Sequence, residues 1–137
     1  MCVQKDGKWR VGGFPVVHEP SLRHLKARLV FEDDGVFVVD GAQRMPVVVE
    51  GPPFEVLSVE FDPAHGEARV LLDDGSEEPL REAYMVWETG RLECPVHDGR
   101  ARALFSRGAH QVLLDRFTEE DGRFFVPVGA GQVKIRT

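Results

Sequence analysis

Two histidine–acid pairs, His18-Glu19 and His97-Asp98, are the most chemically capable neighbours in this sequence. An imidazole beside a carboxylate can shuttle protons, and both groups ligate divalent metals. Cys94 precedes His97 in a Cys-x-x-His spacing used by metal sites. Zinc needs four ligands, or three and a water. No second Cys-x-x-Cys or His-x-x-x-His pair supplies them, so neither metal nor cofactor is expected. The competing reading is structural. Glu19 and Asp98 would then open helices, where a carboxylate contributes about 0.3–1 kcal/mol, and each histidine would line the strand-to-helix turn. That reading is the simpler one, and no catalytic residue is assigned.

Other chemistry has less support. Ser21, Ser58, Ser76 and Ser106 lie in no Gly-x-Ser-x-Gly elbow. Cys94 falls in a predicted strand, where a buried thiol is usually inert. The acidic turns Asp33-Asp34, Asp73-Asp74 and Glu119-Glu120-Asp121 lack the alternating spacing of a calcium loop and read as solvated turns. Gly12-Gly13 and Gly129-Ala130-Gly131 lack a phosphate-loop frame and read as hairpin turns.

Two basic stripes stand out in an acidic chain: Arg23, His24, Lys26 and Arg28, then Arg100, Arg102 and Arg107. A solvated helix face is the default. The alternative is that the stripes line a groove for a small anionic ligand or an acidic partner surface. Trp9, Phe14, Tyr84 and Trp87 could wall such a groove, although core packing is commoner for these rings. The candidate ligand-binding set is therefore His18, Glu19, Arg23, Lys26, His97, Asp98 and Arg100.

The elements that must position these residues are short. Gly12-Gly13 joins two strands into a tight hairpin. Leu22, Leu25 and Leu29 recur at helical spacing behind Pro20 and predict a helix over about residues 20–30. A second hairpin turns at Asp40-Gly41. Residues 54–61, 68–72 and 78–82 read as an antiparallel meander, with Pro79 confining the last strand to an edge. The pattern then restarts with a hairpin at Thr89-Gly90. His97-Asp98-Gly99 opens a predicted helical stretch through Ala101, Ala103, Leu104 and Phe105, and a second helical run covers Val112, Leu113 and Leu114. A hairpin at Gly129-Ala130-Gly131 ends the chain.

Set side by side, Pro15-Val16-Val17-His18-Glu19 answers Pro95-Val96-His97-Asp98, and Glu32-Asp33-Asp34-Gly35 answers Glu119-Glu120-Asp121-Gly122. Self-similarity of this kind dictates architecture. The expected fold is α+β: two ββαββ-like repeats joined by a central antiparallel β-meander, with short helices packed on sheets. One compact unit is expected over 1–137, with repeat one at about 7–50, the meander at about 54–82 and repeat two at about 84–136.

Bulk properties narrow the partners. The 137 residues carry a net charge of −6 and 42% hydrophobic side chains. That composition is globular. The acidic balance argues against nucleic acid and anionic membranes. The N-terminal segment has no apolar stretch of signal type. Two cysteines make no disulfide framework, Cys2 falls on a terminus expected to fray, and free thiols suit a reducing cytoplasm. An apolar edge at Val47-Val48-Val49 leaves homo-oligomerisation open.

Several of these segments resemble the bacterial domain-of-unknown-function family 1285. Asp6-Gly7-Lys8-Trp9 with Gly13-Phe14-Pro15-Val16 is similar to its opening hairpin. Gly35-Val36-Phe37-Val38-Val39 through Val47-Val48-Val49-Glu50-Gly51-Pro52-Pro53-Phe54 is similar to its central signature. Ala101-Arg102-Ala103-Leu104-Phe105 through Gly122-Arg123-Phe124 is similar to its closing helix and hairpin. The resemblance implies repeated α/β units, a regulatory role of signalling type and no catalytic residues. The expected function is a non-catalytic binding protein that uses the groove between repeats. The alternative is a small hydrolase using His18 and His97 with their adjacent carboxylates. Histidines converging within about 5 Å in one pocket would favour the hydrolase.

Overall fold

The computed structural model describes residues 1–137 and is built on two sheets. The first contains β1 (Cys2–Val3), β2 (Trp9–Val11), β3 (Phe14–Pro15), β4 (Leu29–Glu32), β5 (Gly35–Asp40) and β6 (Gln43–Val49). Helix α1 (Glu19–Ala27) lies between β3 and β4 in sequence. The second sheet contains β7 (Phe54–Asp62), β8 (Glu67–Leu72), β9 (Glu77–Leu80), β10 (Glu82–Val86), β11 (Arg91–Val96), β12 (Ala101–Phe105), β13 (Thr118–Glu120), β14 (Arg123–Val128) and β15 (Gly131–Arg136). Helix α2 (Arg107–Leu114) separates β12 from β13. The class is α+β, with two open mixed sheets and two short helices.

Local chemistry explains most of these elements. Gly12 and Gly13 hold φ of 56° and 85°, the two left-handed positions of a two-residue hairpin turn. Pro20 sits in the first turn of α1 and Glu19 supplies the acidic group there. The Ser106 hydroxyl accepts from the Ala109 amide at 3.2 Å and caps α2. Pro79 sits in β9, the free edge of the second sheet, where its missing amide costs no ladder bond. Gly129 and Gly131 fit the closing hairpin against the β7–β8 turn. A Cβ on Gly129 would collide with the carbonyl of Pro63, and one on Gly131 with that of Gly66.

The sheets have the same internal wiring. The first runs β3-β2-β1-β6-β5-β4, and six strands of the second run β12-β11-β10-β15-β14-β13. The central pair is parallel in both, β1 on β6 and β10 on β15. Registers correspond as well. Val36 opposite Val47 matches Phe124 opposite Ile135, and Val11 opposite Phe14 matches Cys94 opposite Ala103. Three strands flank the helix on each side, rather than the two expected. The meander β7–β9 is antiparallel, but it extends the second sheet through a parallel β7–β12 pairing instead of bridging two separate units.

Three local expectations change. Residues 101–105 form strand β12, not a helix. Ala101, Ala103, Leu104 and Phe105 are all buried, because β12 is an interior strand paired on both edges. Four apolar residues in a run of five fit a two-sided buried strand as well as a helix. Leu29 begins β4 instead of ending α1. Cys2 pairs with both Arg10 and Val48, so the N-terminus is a strand ahead of position 7 and is not frayed.

The cores are unequal. Nineteen buried side chains fill the second sheet's core, whereas Val3, Trp9, Val38 and Val47 are the four fully buried ones in the first. Leu29 packs against both. No helix is long and apolar enough to cross a membrane.

Candidate functional site

The two sheets meet where α1 and β4 abut one end of β7, β8 and β12. Three contacts define this junction. Lys26 of α1 forms an ion pair with Asp73 in the β8–β9 turn, and both side chains are nearly enclosed. Asp73 also accepts the Glu55 amide at 2.8 Å, which fixes the turn to the start of β7. The Phe31 ring of β4 lies 6.0 Å from the His97 ring and 6.3 Å from Phe54, and His97 lies 4.7 Å from Phe54.

His97 is the centre of the polar part. It occupies the β11–β12 turn, where His97, Asp98 and Gly99 all have positive φ, of 52°, 58° and 78°. Two consecutive non-glycine residues in this region carry strain of roughly 1–3 kcal/mol each and persist only where surroundings over-determine them. The surroundings do so here. The His97 amide donates to Glu78 Oε2 at 3.1 Å, and its Nε2 lies 3.0 Å from Asp74 Oδ2. Asp74 Oδ1 accepts the Ser76 amide at 2.9 Å and the Ser76 hydroxyl at 2.6 Å. Burial pushes the Asp74 carboxyl up, but the hydrogen bonds from His97 and Ser76 outweigh it and lower its pKa to about 2. The Asp74 hydrogen bond raises the His97 pKa against the opposing effect of burial.

A groove of about 190 Å³ runs beside this cluster, between α1 and β7. Glu19, Leu22, Arg23 and Lys26 line one side, and Glu55, Leu57 and Asp73 the other. Burial first, and then the Asp73 charge, raise the pKa of Glu55.

The candidate residues divide as follows. Lys26, His97 and Arg100 reach the junction, each already engaged; Arg100 donates to the Phe31 carbonyl at 3.4 Å. Glu19 and Arg23 rim the groove and pair with each other at 3.9 Å. His18 is exposed at the N-cap of α1, with Nδ1 2.8 Å from Ser21 Oγ. It shares no hydrogen-bond partner with His97. Asp98 is exposed and opens no helix, because α2 begins at Arg107 behind Ser106. The helix N-caps match His18 with Ser106, and the strand registers bring Val17 to Ser106, so neither matches His18 with His97. The expected equivalence of the histidines came from reading β12 as a helix.

The basic stripes are also different from expectation. His24 and Arg28 both contact Asp40, at 3.0 and 3.5 Å, so every cation of the first stripe has a carboxylate partner. Arg100 and Arg102 lie in a turn and a strand, and Arg102 pairs with buried Glu93 at 3.0 Å. Trp9 is buried and donates from its indole to the Pro53 carbonyl at 3.1 Å. Phe14 and Trp87 are exposed on hairpins.

Sequence reasoning missed Asp73, Asp74 and Glu55. Asp73-Asp74 read as a solvated turn, yet their side chains are only 12% and 7% exposed. Nothing in the local spacing signals this, because the burying partners come from distant segments. Cys94 is fully buried and burial drives its thiol pKa up to about 12. No group of three or more His, Cys, Asp or Glu side chains is arranged to hold a metal.

No family model and no curated protein matches the sequence. Two solved structures match its fold. A DUF1285 family protein from Silicibacter pomeroyi DSS-3 aligns with a TM-score of 0.73 at 21% identity, over 100% of this chain and 79% of that one. A DUF1285 family protein from Shewanella baltica OS155 aligns with a TM-score of 0.61 at 15% identity, over 85% of this chain and 91% of that one. The chain thus resembles the DUF1285 family in its fold.

Proposed function

We propose that this chain is a non-catalytic binding protein made of two copies of one βββαβββ unit, with a protein partner engaged at the groove between helix α1 of the first copy and the meander strand β7. The observation that carries this reading is that the reactive groups of the junction satisfy one another. Asp74 is committed to His97 and Ser76, and Lys26 to Asp73. No nucleophile contacts His97, and the thiol of Cys94 is held in its inert form. Matching strand order and register support the duplication.

Groove size and charge favour a partner's side chain over a free small anion. About 190 Å³ is below the roughly 300–1,000 Å³ of most small-molecule sites. Three lining carboxylates face two cations, and both cations are paired. Glu55, with its raised pKa and no side-chain hydrogen bond, is the group left to receive a donor from the partner.

A photo-crosslinking residue at Leu57, in the groove, tests this in cells. One discrete adduct is expected from Leu57 and none from Glu60 on the same strand. Absence of a groove-specific adduct, together with ester or phosphoester hydrolysis that disappears in His97→Gln, would establish the hydrolase instead.

A further inference from the structure

The outer face of β13–β15 forms a second concavity, of about 750 Å³, that shares no lining residue with the groove at the junction. This volume is within the usual range for small-molecule sites. Register determines what lines it. Phe125 lies directly opposite Lys134, and alternation places Arg123 beside Phe125 and Arg136 beside Lys134 on the same face. Phe124 and Ile135 point the other way, into the core.

The fold does not require these cations. The first sheet has the same strand order, and its register equivalents are Gly35, Phe37, Pro46 and Val48. The aromatic ring is common to both sheets, but the three cations are present in only one. They also stand close together on adjacent strands, where like charges destabilise a sheet unless something neutralises them. Arg136 has a partner, Glu82, at 3.0 Å. Arg123 and Lys134 close no ion pair, although Glu120 lies opposite Arg123 and Glu82 opposite Lys134 in the strand registers. Glu120, the cross-strand neighbour of Arg123, and Asp121 stand at the β13–β14 end of the concavity, which leaves the Lys134 side as its more positive part.

We propose that this face binds a small organic phosphomonoester. Lys134 and Arg123 hold its phosphate, Arg136 approaches from the flank, and its apolar body lies on Phe125. A phosphate dianion offers three terminal oxygens to donors arriving from separate directions, and charge-assisted bonds of this type are the strong ones.

Phenyl phosphate is the probe, titrated into the ¹⁵N-labelled full chain and followed by amide shifts. Saturable shifts are expected at β14 and β15, with the junction amides unmoved. Lys134→Gln and Arg123→Gln should each weaken binding about tenfold, the loss of one charge-assisted contact. Arg107→Gln, an exposed cation on α2, should leave it unchanged. Phe125→Leu should weaken phenyl phosphate and spare inorganic phosphate. The dispersion of each variant's spectrum reports whether it is folded. The proposal is overturned if no saturable shift appears at millimolar probe, if shifts map to the junction, or if Arg107→Gln weakens binding equally. Tighter binding of an acidic peptide at the same amides would reassign the face to a protein.

Discussion

The His97–Asp74 contact joins two titrations of opposite sign. The Asp74 pKa is depressed in the folded protein, from 3.8 to about 2, so its stabilisation is complete above 3.8 and is lost as pH falls toward 2. The His97 pKa is raised above 6.5, so its stabilisation is complete below 6.5 and is lost as pH rises through the folded value. Both contributions are whole only between about pH 4 and 6.5. Urea denaturation of His97→Gln should therefore show a loss of about 1–2 kcal/mol near pH 5.5 and a smaller one near pH 8.5. An equal loss at both values would mean that the histidine acts by packing alone. Thiol chemistry provides a second residue-level test. Cys94 is fully buried with its thiol pKa pushed up to about 12, and Cys2 is only half-buried. A disulfide reagent should modify one thiol in the native protein, Cys2, and a second only after unfolding.

At the scale of elements, the two helices are unequal in what they bury. Helix α2 buries Ala109 and Leu113, whereas α1 buries no residue fully. Leu113→Ala should thus cost about 2–5 kcal/mol, with its cavity enclosed on all sides. Leu25→Ala in α1 should cost about 1 kcal/mol, because its half-buried side chain leaves water, not a void. Chemical denaturation of the two variants measures the contrast. The same contrast explains which elements were legible. Helix α1 carries a leucine repeat behind Pro20, and the hairpins carry glycines that their turns demand. Strand β12 carries neither signal. Four of the five residues Ala101-Arg102-Ala103-Leu104-Phe105 are apolar because the strand lies inside the sheet, and this neighbourhood is invisible in a window of five residues.

For the whole molecule, the disparity between cores predicts unequal stability. Four fully buried side chains hold the first sheet and nineteen the second. The first sheet depends on Lys26, Phe31 and the Arg100 bond to the Phe31 carbonyl for its attachment. Native-state hydrogen exchange should show the amides of β1–β6 opening at lower free energy than those of β10–β15. Phe31→Ala should lower protection in the first sheet by about 2 kcal/mol and leave the second sheet's interior strands unchanged. Uniform protection across both sheets would mean that the molecule opens as one cooperative body.

The sequence by itself determined the β-rich α+β class, the hairpin boundaries and an echo between the halves. Those features are written in local signals: glycine and acidic turns, alternation, and a proline at a helix start. Only the tertiary structure decided which residues correspond and which are free to act. The match of His18 with Ser106, and not with His97, follows from the two helix N-caps once residues 101–105 are a strand, and that strand is fixed by partners far away in the chain. Pairing of Lys26 with Asp73 and of His97 with Asp74 brings together residues 47 and 23 positions apart. A charge read from sequence looks available until its partner is known, and long-range partners are fixed by packing alone. For that reason the histidine–acid turns and the basic stripe of α1 became structural contacts. Arg123 and Lys134, scattered in sequence, came together as the unpaired cations of one sheet face.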